Sequence, residues 1–321
     1  MAAFCNPGDE IVVITPCFDA YFKSASVLGL RMKGVPLTQT SNMSSQNPSA
    51  SDFTVNLDTL RSTLSQDTKL LLLNTPASPL GKVFTENELR GISELVTKEF
   101  PGLLVLSDEV YEYMTFDNKP HLHIANQPGM WERTISIFSI GKSFSCTGWR
   151  LGYAIAPSSL IHTIKTLHSV INFSATTPVQ MATAKALDIA VKINYKRWLQ
   201  DLLQGKRDTF CGALNAMGIN FVMPEGGYFV VADMSPYYKE AGITEKSLSC
   251  LTPSTPLDDR PDVVFCKWLT REVGVAGIPM SPFYTPELRH LANNHLRFAY
   301  CKDSATLNTA VERLQKKFGQ V

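Results

Sequence analysis

A continuous run of apolar residues is the feature that most limits how this chain of 321 residues can fold. Residues 69–73 read KLLLL, and a strand of this kind is typical of parallel sheets, because helices cover both of their faces. A second apolar run, at residues 103–106, follows a predicted helix that begins with a capping box at Thr85 and ends near Phe100. The alternation predicts an α/β fold with a mainly parallel sheet flanked by helices.

The remaining elements extend this pattern and then change it. In the first half we predict strands at residues 10–15, 32–36 and 134–138 and helices at residues 18–28 and 57–64. Residues 178–218 are mostly helical, and beyond them we predict strands at residues 226–231, 275–278 and 296–300 and helices at residues 263–273 and 304–318.

This change of pattern indicates two domains. We expect a large domain over residues 1–190, followed by a linking helix and a smaller α/β domain over residues 191–321. The polar segment 38–52 is predicted to be a loop or flap, and the polar segment 247–261 is predicted to be an insertion.

The composition is that of an ordinary globular protein, with 44% apolar and 18% charged residues. A net charge of +1 leaves no overall field to attract nucleic acid or an acidic membrane surface. Seven scattered cysteines without a C-x-x-C pair argue against a disulfide framework and a zinc site. No apolar run reaches the roughly 20 residues of a membrane span, and the first strand leaves no room for a signal peptide. We therefore expect a cytoplasmic protein that binds neither nucleic acid nor membranes.

Polar clusters follow three of the predicted strands. The first contains Asn74 and Ser78, the second Asp108 and Tyr111, and the third Lys142. Because the carboxyl ends of parallel strands share one edge of a sheet, the clusters should converge there. A lysine at the rim of a core is partly desolvated, which favours its use as a nucleophile that forms a Schiff base. The alternatives are an ordinary surface lysine for Lys142 and a helix N-cap for Asp108.

Two arginines stand at positions where a cation needs a partner. Arg150 lies eight residues after Lys142 in a turn flanked by glycines, where its planar guanidinium suits a phosphate. Arg297 lies inside the apolar strand at residues 296–300, and burying an arginine there is costly unless it pairs with an anion. These positions favour two anion-binding roles over two solvated surface cations.

The motifs occur in a specific order. The chain carries N-x-P-x-x-P-x-G from Asn74, D-E-x-Y from Asp108, and S-x-x-K-x-x-x-x-x-G-x-R-x-G from Ser139. In this order they resemble the class I aminotransferases, pyridoxal-phosphate enzymes of fold type I. The segments NTP..PLGKVF, SDEVYEYMTFD, GKSFS.TGW and PEGGYF are most similar to the kynurenine and glutamine transaminase branch, which includes cysteine-conjugate β-lyases. The resemblance runs through nearly the whole chain.

The resemblance implies a role for each residue at the cofactor ring. Lys142 is the expected Schiff-base lysine and the group that moves the proton between the substrate Cα and the cofactor. Asp108 is expected to pair with the pyridine nitrogen, and Tyr111 to donate a hydrogen bond to the phenolic oxygen. Phe18 is expected to stack on the ring, although a core position is the alternative for this residue.

The resemblance also implies residues for the phosphate and for the substrate. Ser139 and Arg150 are expected to contact the phosphate of pyridoxal 5′-phosphate. Arg297 is expected to bind the substrate carboxylate. Asn74 is expected to support the loop that carries Ser78, the position from which both the cofactor oxygen and the substrate carboxylate are contacted.

The chain departs from the family pattern in two places. Ser78 stands where the family has an asparagine, and a hydroxyl is too short to span both partners of that amide. The chain also begins where a full-length relative is already inside its large domain. We therefore expect that the N-terminal arm, the tyrosine lent to the neighbouring subunit's phosphate and the Gly-Ala phosphate turn are missing, so that cofactor binding is weaker.

The expected function is transfer of the amino group of a neutral, aromatic or kynurenine-like L-amino acid to a 2-oxo acid through Lys142, in a homodimer. The alternatives are a cysteine-conjugate β-lyase and a weak or inactive homologue that serves as a dimer partner. His121 and His123 could suggest a metal, but no third ligand is near in the sequence. We therefore expect no metal site.

Overall fold

The computed structural model describes residues 1–40 and 47–319, which form two β-sheets and the helices around them. The larger sheet has seven strands, in the order β3-β2-β1-β4-β5-β6-β7. Its strands are β1 (Glu10–Thr15), β2 (Arg31–Gln39), β3 (Phe53–Val55), β4 (Thr68–Asn74), β5 (Leu104–Asp108), β6 (Thr134–Ser139) and β7 (Gly152–Ile155).

The middle five strands of this sheet are parallel, and the two edge strands, β3 and β7, run antiparallel to their neighbours. This mixed but mostly parallel sheet confirms the predicted fold class. The helices of this part of the chain are α1 (Ala20–Val27), α2 (Leu57–Thr63), α3 (Glu86–Glu99), α4 (Ile140–Ser143), α5 (Ser158–Ile171), α6 (Thr177–Lys192) and α7 (Tyr195–Ala216).

The smaller sheet is antiparallel and has the order β10-β11-β9-β8. Its strands are β8 (Phe221–Val222), β9 (Phe229–Asp233), β10 (Ile278–Pro279) and β11 (His295–Ala299). The helices around it are α8 (Glu245–Ser249), α9 (Pro261–Trp268), which continues as a π-helical turn at Leu269–Val273, and α10 (Ser304–Phe318). The division of the chain at residue 190 stays a prediction.

Short 3-10 turns connect these elements. They are Ala50–Asp52, Ile124–Asn126, Trp131–Arg133, Thr147–Trp149, Ser235–Ala241, Leu257–Asp259, Ser281–Phe283 and Pro286–Leu291.

The apolar run of β4 is buried on both faces, as the sequence predicts. Leu71 and Leu73 pack in one cluster with residues of α3, whereas Leu70 and Leu72 lie on the opposite face among residues of α1 and neighbouring strands. Because successive side chains of a strand point to opposite faces, a strand between two helical layers needs apolar residues at every position. This layering fixes β4 in the middle of the sheet.

Pairing of β4, β5 and β6 brings the ends of the three strands together. Asn74 lies beside Asp108 in the register of β4 and β5, and Asp108 lies beside Ile137 of β6. β6 ends at Ser139, and α4 follows at once and carries Lys142. The predicted convergence of the three polar clusters therefore follows from the parallel register.

Several predicted elements differ from the structure. The predicted strand at residues 275–278 is instead the shorter β10, and α5 and β7 were not predicted. The segment 38–52, predicted to be a loop, begins with the last residues of β2 and ends with a 3-10 turn, and its residues 41–46 lie outside the described part of the chain. Lys142 lies in the short helix α4 and not in an irregular turn.

The surface of α5, α6 and α7 is unusually apolar. Across the described residues of this region, large apolar side chains are exposed at Val170, Ile171, Phe173, Met181, Val191, Ile193 and Trp198. In residues 1–40 and 47–319, no helix is both long enough and apolar enough to cross a membrane.

Candidate active site

Asp108 ends β5 as a buried carboxylate in the middle of the sheet edge. Its Oδ2 accepts a short hydrogen bond from the Tyr21 hydroxyl, and its Oδ1 accepts one from the Val110 N–H at 3.2 Å. Burial raises the pKa of Asp108 despite these hydrogen bonds and the positive charge of Lys142. The neighbouring groups therefore stabilise the ionised carboxylate only in part, and a cationic partner would suit this position.

The loop after β4 is held to the same strand end by Asn74. The Asn74 Nδ2 donates to the Asp108 carbonyl oxygen at 2.9 Å, and its Oδ1 accepts from the Ser78 N–H at 2.6 Å. Both residues are buried. The amide thus fixes the position of Ser78 relative to Asp108, which is the supporting task expected for Asn74.

Lys142 lies in α4, whose first turn is capped by the strand end before it. The Ser139 hydroxyl accepts a hydrogen bond from the Lys142 N–H at 3.3 Å. The Lys142 Nζ donates to the Tyr228 hydroxyl at 2.8 Å and lies 5.7 Å from the centre of the Tyr111 ring. Two aromatic side chains, one from the loop after β5 and one from the residue just before β9, therefore lie beside the amine.

Tyr111 and Tyr228 form an edge-to-face pair beside this amine, with ring centres 5.2 Å apart. Tyr111 is buried, and burial together with the neighbouring Tyr228 raises the pKa of its hydroxyl well above the ordinary value. The hydroxyl therefore stays protonated at neutral pH and is available as a hydrogen-bond donor.

A cavity of about 240 Å³ lies beside Lys142 and is lined by Ser139 and Arg150, the two residues predicted to bind phosphate. Its walls include Ser139, Arg150 and the backbone of Gly141 and Gly152. A Cβ on Gly152 would lie 2.6 Å from the Phe138 carbonyl oxygen, so a larger residue would not fit there. The cavity is polar and carries one guanidinium, which are properties that suit a phosphate.

Arg297 lies on β11 with its guanidinium between aromatic rings. Its Cζ is 3.9 Å from the centre of the Phe229 ring and 4.7 Å from that of Phe283. The Nε is buried and has no hydrogen-bond partner among the described residues, and burial lowers the pKa of the guanidinium. A buried cation with an unused donor is suited to an anionic ligand such as a carboxylate.

Phe18 lies between β1 and α1, with 46% of its surface exposed. Its ring meets that of Tyr21 edge to face, at 5.7 Å between centres. The alternative of a core phenylalanine is thus excluded by exposure, and a ring face remains available for stacking.

A larger cavity of about 610 Å³ lies elsewhere, between β2, the smaller sheet and the turn at Pro286–Leu291. None of the predicted site residues lines it. Size alone would make it the first candidate for a ligand site. The smaller cavity at Lys142 is the better candidate, because charged groups and an amine meet there.

Comparison with protein families decides the class of this site. The family model for class I and II aminotransferases matches residues 1–314. The chain belongs to the class I and II aminotransferases. This family membership confirms the resemblance of the motifs and makes the chain an aminotransferase that uses pyridoxal phosphate.

Individual relatives support the same assignment. The aminotransferase is 38% identical over 320 residues to kynurenine–oxoglutarate transaminase of Dictyostelium discoideum, covering 98% of this chain and 73% of that one. It is 36% identical to kynurenine–oxoglutarate transaminase 3 of Homo sapiens, covering 97% of this chain and 66% of the human protein. The predicted similarity to kynurenine transaminases is confirmed.

The fold is also that of solved aminotransferases. Bna3p of Saccharomyces cerevisiae, described as a candidate kynurenine aminotransferase, superposes with a TM-score of 0.87 at 32% identity. The match covers 98% of this chain and 72% of Bna3p. The predicted fold type I architecture is thereby confirmed.

The residues of the aminotransferase fit the ring nitrogen and the phosphate of pyridoxal phosphate. The buried Asp108 carboxylate suits a protonated ring nitrogen, and the cavity at Arg150 suits the phosphate. The unused Nε of Arg297 suits a substrate carboxylate. The individual roles stay predictions for all of the site residues, which are Phe18, Ser78, Asp108, Tyr111, Ser139, Lys142, Arg150 and Arg297.

Sequence reasoning missed two tyrosines in this site. Tyr21 is separated from Asp108 by 87 residues and Tyr228 from Lys142 by 86 residues. Neither contact leaves a local pattern in the sequence. Tyr228 stands in the segment PEGGYF, which we used only as a mark of the resemblance.

The two histidines also have a neighbour that the sequence search did not consider. Glu109 lies 12 residues from His121 and 14 from His123 in sequence, yet its carboxylate contacts both rings. The expectation of no metal depended on the absence of a third ligand nearby in sequence. Glu109, directly after β5, supplies one in space.

We expect Tyr21→Phe to weaken uptake of pyridoxal phosphate about tenfold, because removing a hydrogen bond to a charged group costs about 1.5 kcal/mol. Loss of the hydroxyl raises the pKa of Asp108 further, so that less of the carboxylate is ionised to pair with the ring nitrogen. The measurement is a titration of the chain with the cofactor, followed by absorbance. Tyr237→Phe, which alters a tyrosine packed on Phe318 in the smaller-sheet region, is the matched control. Equal affinity of both variants would contradict a role for Tyr21.

Proposed function

We propose that this aminotransferase transfers the amino group of an L-amino acid to a 2-oxo acid, with Lys142 as the covalent and proton-transferring residue. The observation that carries the proposal is the surroundings of the Lys142 amine. It lies beside the phosphate-suited cavity, donates to Tyr228 and stands close to the ring of Tyr111. A surface lysine would have no such set of neighbours.

Pyridoxal phosphate, when bound, supplies an aldehyde that takes up the amino group and a ring that withdraws electron density from the substrate Cα. The chain contributes positioning and proton transfer. Asp108 holds the ring nitrogen in its protonated form, which increases electron withdrawal. Tyr111, protonated at neutral pH, donates to the phenolic oxygen.

Lys142 is the proposed base and acid that moves a proton at the substrate Cα. Its Nζ is mobile on a four-carbon stem, and Tyr228 holds it at 2.8 Å. This hydrogen bond orients the amine at the wall of the cavity. Ser139 holds the backbone of the same helical turn through the Lys142 N–H.

Arg150 and Ser139 are the proposed phosphate ligands, and Phe18 covers one face of the ring. Arg150 has a left-handed backbone, with φ of 53°, and its Nη1 donates to the Thr147 carbonyl oxygen at 3.2 Å. This turn directs the guanidinium to the cavity wall. A phosphate in that position would receive two parallel hydrogen bonds from the planar guanidinium.

Arg297 is the proposed site for the carboxylate that every amino acid and 2-oxo acid shares. The aromatic rings of Phe229 and Phe283 lie against its guanidinium. We infer a preference for neutral, aromatic or kynurenine-like side chains from these apolar surroundings and from the names of the relatives. The short Ser78 hydroxyl stands in place of the family's asparagine amide, so we propose that the arginine carries most of the carboxylate binding.

We expect Lys142→Gln to reduce transamination between an aromatic amino acid and 2-oxoglutarate by more than about 100-fold, since loss of a general acid and base costs this much. The assay measures oxo-acid formation. In parallel, borohydride reduction of the chain with bound cofactor, followed by peptide mapping, is expected to label Lys142.

Lys165→Gln is the matched control, because Lys165 is exposed on α5. A wild-type chain that takes up no cofactor, or turnover that survives Lys142→Gln, would contradict the proposed function. Release of a thiol and pyruvate from a cysteine conjugate without an oxo-acid acceptor would identify a β-lyase instead.

We expect Arg297→Gln to raise the KM for the amino acid about 10- to 100-fold, because the substrate carboxylate loses a charged hydrogen-bonding partner. Cofactor uptake is expected to change little, since Arg297 is not among the proposed cofactor ligands. Initial rates at varied amino acid concentration give the KM. Arg271→Gln, at an exposed arginine, serves as the control, and an unchanged KM in Arg297→Gln would refute the assignment.

We also propose a cytoplasmic homodimer. The apolar side chains exposed on α5, α6 and α7 support self-association, because a contiguous apolar surface is costly in water. The cysteines at all seven positions are free thiols, which is typical of a reducing compartment.

Sedimentation of the wild-type chain is expected to give a dimer, and Phe173→Asp is expected to shift the equilibrium towards the monomer. Phe173 is exposed beyond the end of α5, and an aspartate there would add charge to the buried interface. Val27→Asp, at an exposed position of α1, is the control. A wild-type monomer at all concentrations would contradict the homodimer.

A further inference from the structure

A carboxylate and two imidazoles converge beside the sheet, on residues that the proposed transamination does not use. The Glu109 Oε2 lies 2.7 Å from the His121 Nε2 and in close contact with the His123 Nδ1. The three potential ligand atoms all lie within 4.8 Å of one another. Two imidazole nitrogens and one carboxylate oxygen are thus close together in space.

The local backbone explains why both rings face the same carboxylate. His121 and His123 are two residues apart, and His123 is extended, with φ of −100° and ψ of 126°. In extended backbone, residues i and i+2 project to the same side. The rings meet edge to face with centres 4.7 Å apart. The pair is therefore arranged as two ligands of one centre.

Glu109 is oriented for this centre by a residue of the neighbouring strand. Ser136 on β6 donates from its hydroxyl to the Glu109 Oε1 at 2.9 Å, which leaves Oε2 for the histidines. The carboxylate is fully buried. Burial alone would raise the pKa of Glu109, but the hydrogen bonds from His121 and His123 lower it to about 2. The second oxygen of the carboxylate is thus held as in the outer shell of a metal site.

We infer that Glu109, His121 and His123 form a binding site for a divalent transition metal, with Zn²⁺ as the best match. Two imidazole nitrogens and one carboxylate oxygen are a ligand set that zinc sites use, with a fourth position open to water. Ligand bonds of about 2.0–2.1 Å place tetrahedral donors about 3.3 Å apart. The 2.7 Å between the Glu109 Oε2 and the His121 Nε2 therefore needs to open by about 0.6 Å, and the shorter contact with the His123 Nδ1 by more. Side-chain rotation can supply these shifts.

The centre is reachable from solvent on one side. The His123 side chain is 36% exposed, whereas that of His121 is 3% exposed. The Nδ1 of His121 is buried without a hydrogen-bond partner among the described residues. A metal on the Nε2 would leave that N–H without a protein acceptor, and missing outer-shell contacts cost about 10- to 100-fold in affinity. We expect a dissociation constant on the order of micromolar.

The test is calorimetric titration of the chelator-treated chain of 321 residues with Zn²⁺. The exposed Cys250 and Cys301 are changed to serine in this background to remove thiol sites. We expect saturable binding of one metal per chain. His123→Gln, at the partly exposed ligand, is expected to weaken binding at least about tenfold. Element analysis after gel filtration gives an independent stoichiometry.

His162→Gln is the matched control, because His162 is an exposed histidine of α5 outside the cluster, and its affinity is expected to equal that of the parent. Circular dichroism checks that each variant is folded, and Glu109→Gln adds a second ligand variant where it folds. No saturable binding by the parent, or equal affinity in the parent and a folded His123→Gln, would overturn the site and leave a hydrogen-bonded cluster. None of these readouts depends on transaminase activity.

Discussion

The parallel pairing of β4, β5 and β6 is the constraint on which the candidate site depends. It sets Asn74 beside Asp108 and ends β6 one residue before the helix that carries Lys142. A shift of one residue in either register would turn the functional side chains to the other face of the sheet. The apolar residues of β4, which pack on helical layers on both sides, prevent such a shift. The packing of the core thus also fixes the geometry of the candidate site.

The smaller sheet completes the site from the other side. β9 carries Phe229 directly after Tyr228, and β11 sets Arg297 opposite Val231 of β9. The residue just before β9 therefore presents the hydroxyl that holds the lysine amine, and β11 presents the cation proposed for the substrate carboxylate. Phe229 contacts both the Tyr228 ring and the Arg297 guanidinium.

The sequence could predict elements and motifs that have a local pattern. It could not predict contacts between residues that are distant in the chain and meet only in the fold. The capping box at Thr85 and the run in β4 have strong local patterns, and α3 and β4 lie where these patterns indicate. Lys142 and Asp108 were predicted because their motifs have fixed spacing, and Arg297 because it lies inside an apolar strand. Tyr21 was missed, because its contact with Asp108 spans 87 residues and depends on how α1 packs beside β5. Short and edge elements such as β10 depend on their partner strands and have weak patterns of their own.

Asp108 and Glu109 illustrate how two adjacent carboxylates acquire different chemistry from one strand end. Consecutive residues of an extended chain point to opposite sides. Asp108 meets Tyr21 on one side, where burial raises its pKa, and Glu109 meets two histidines on the other, where their hydrogen bonds lower its pKa to about 2. Desolvation acts on both, and only at Glu109 do the hydrogen bonds and charges of two histidines outweigh it. The first is left in need of a cation, which a protonated cofactor ring can provide. The Glu109 carboxylate already faces two histidines. This difference in partners distinguishes the proposed site of transamination from the proposed metal site.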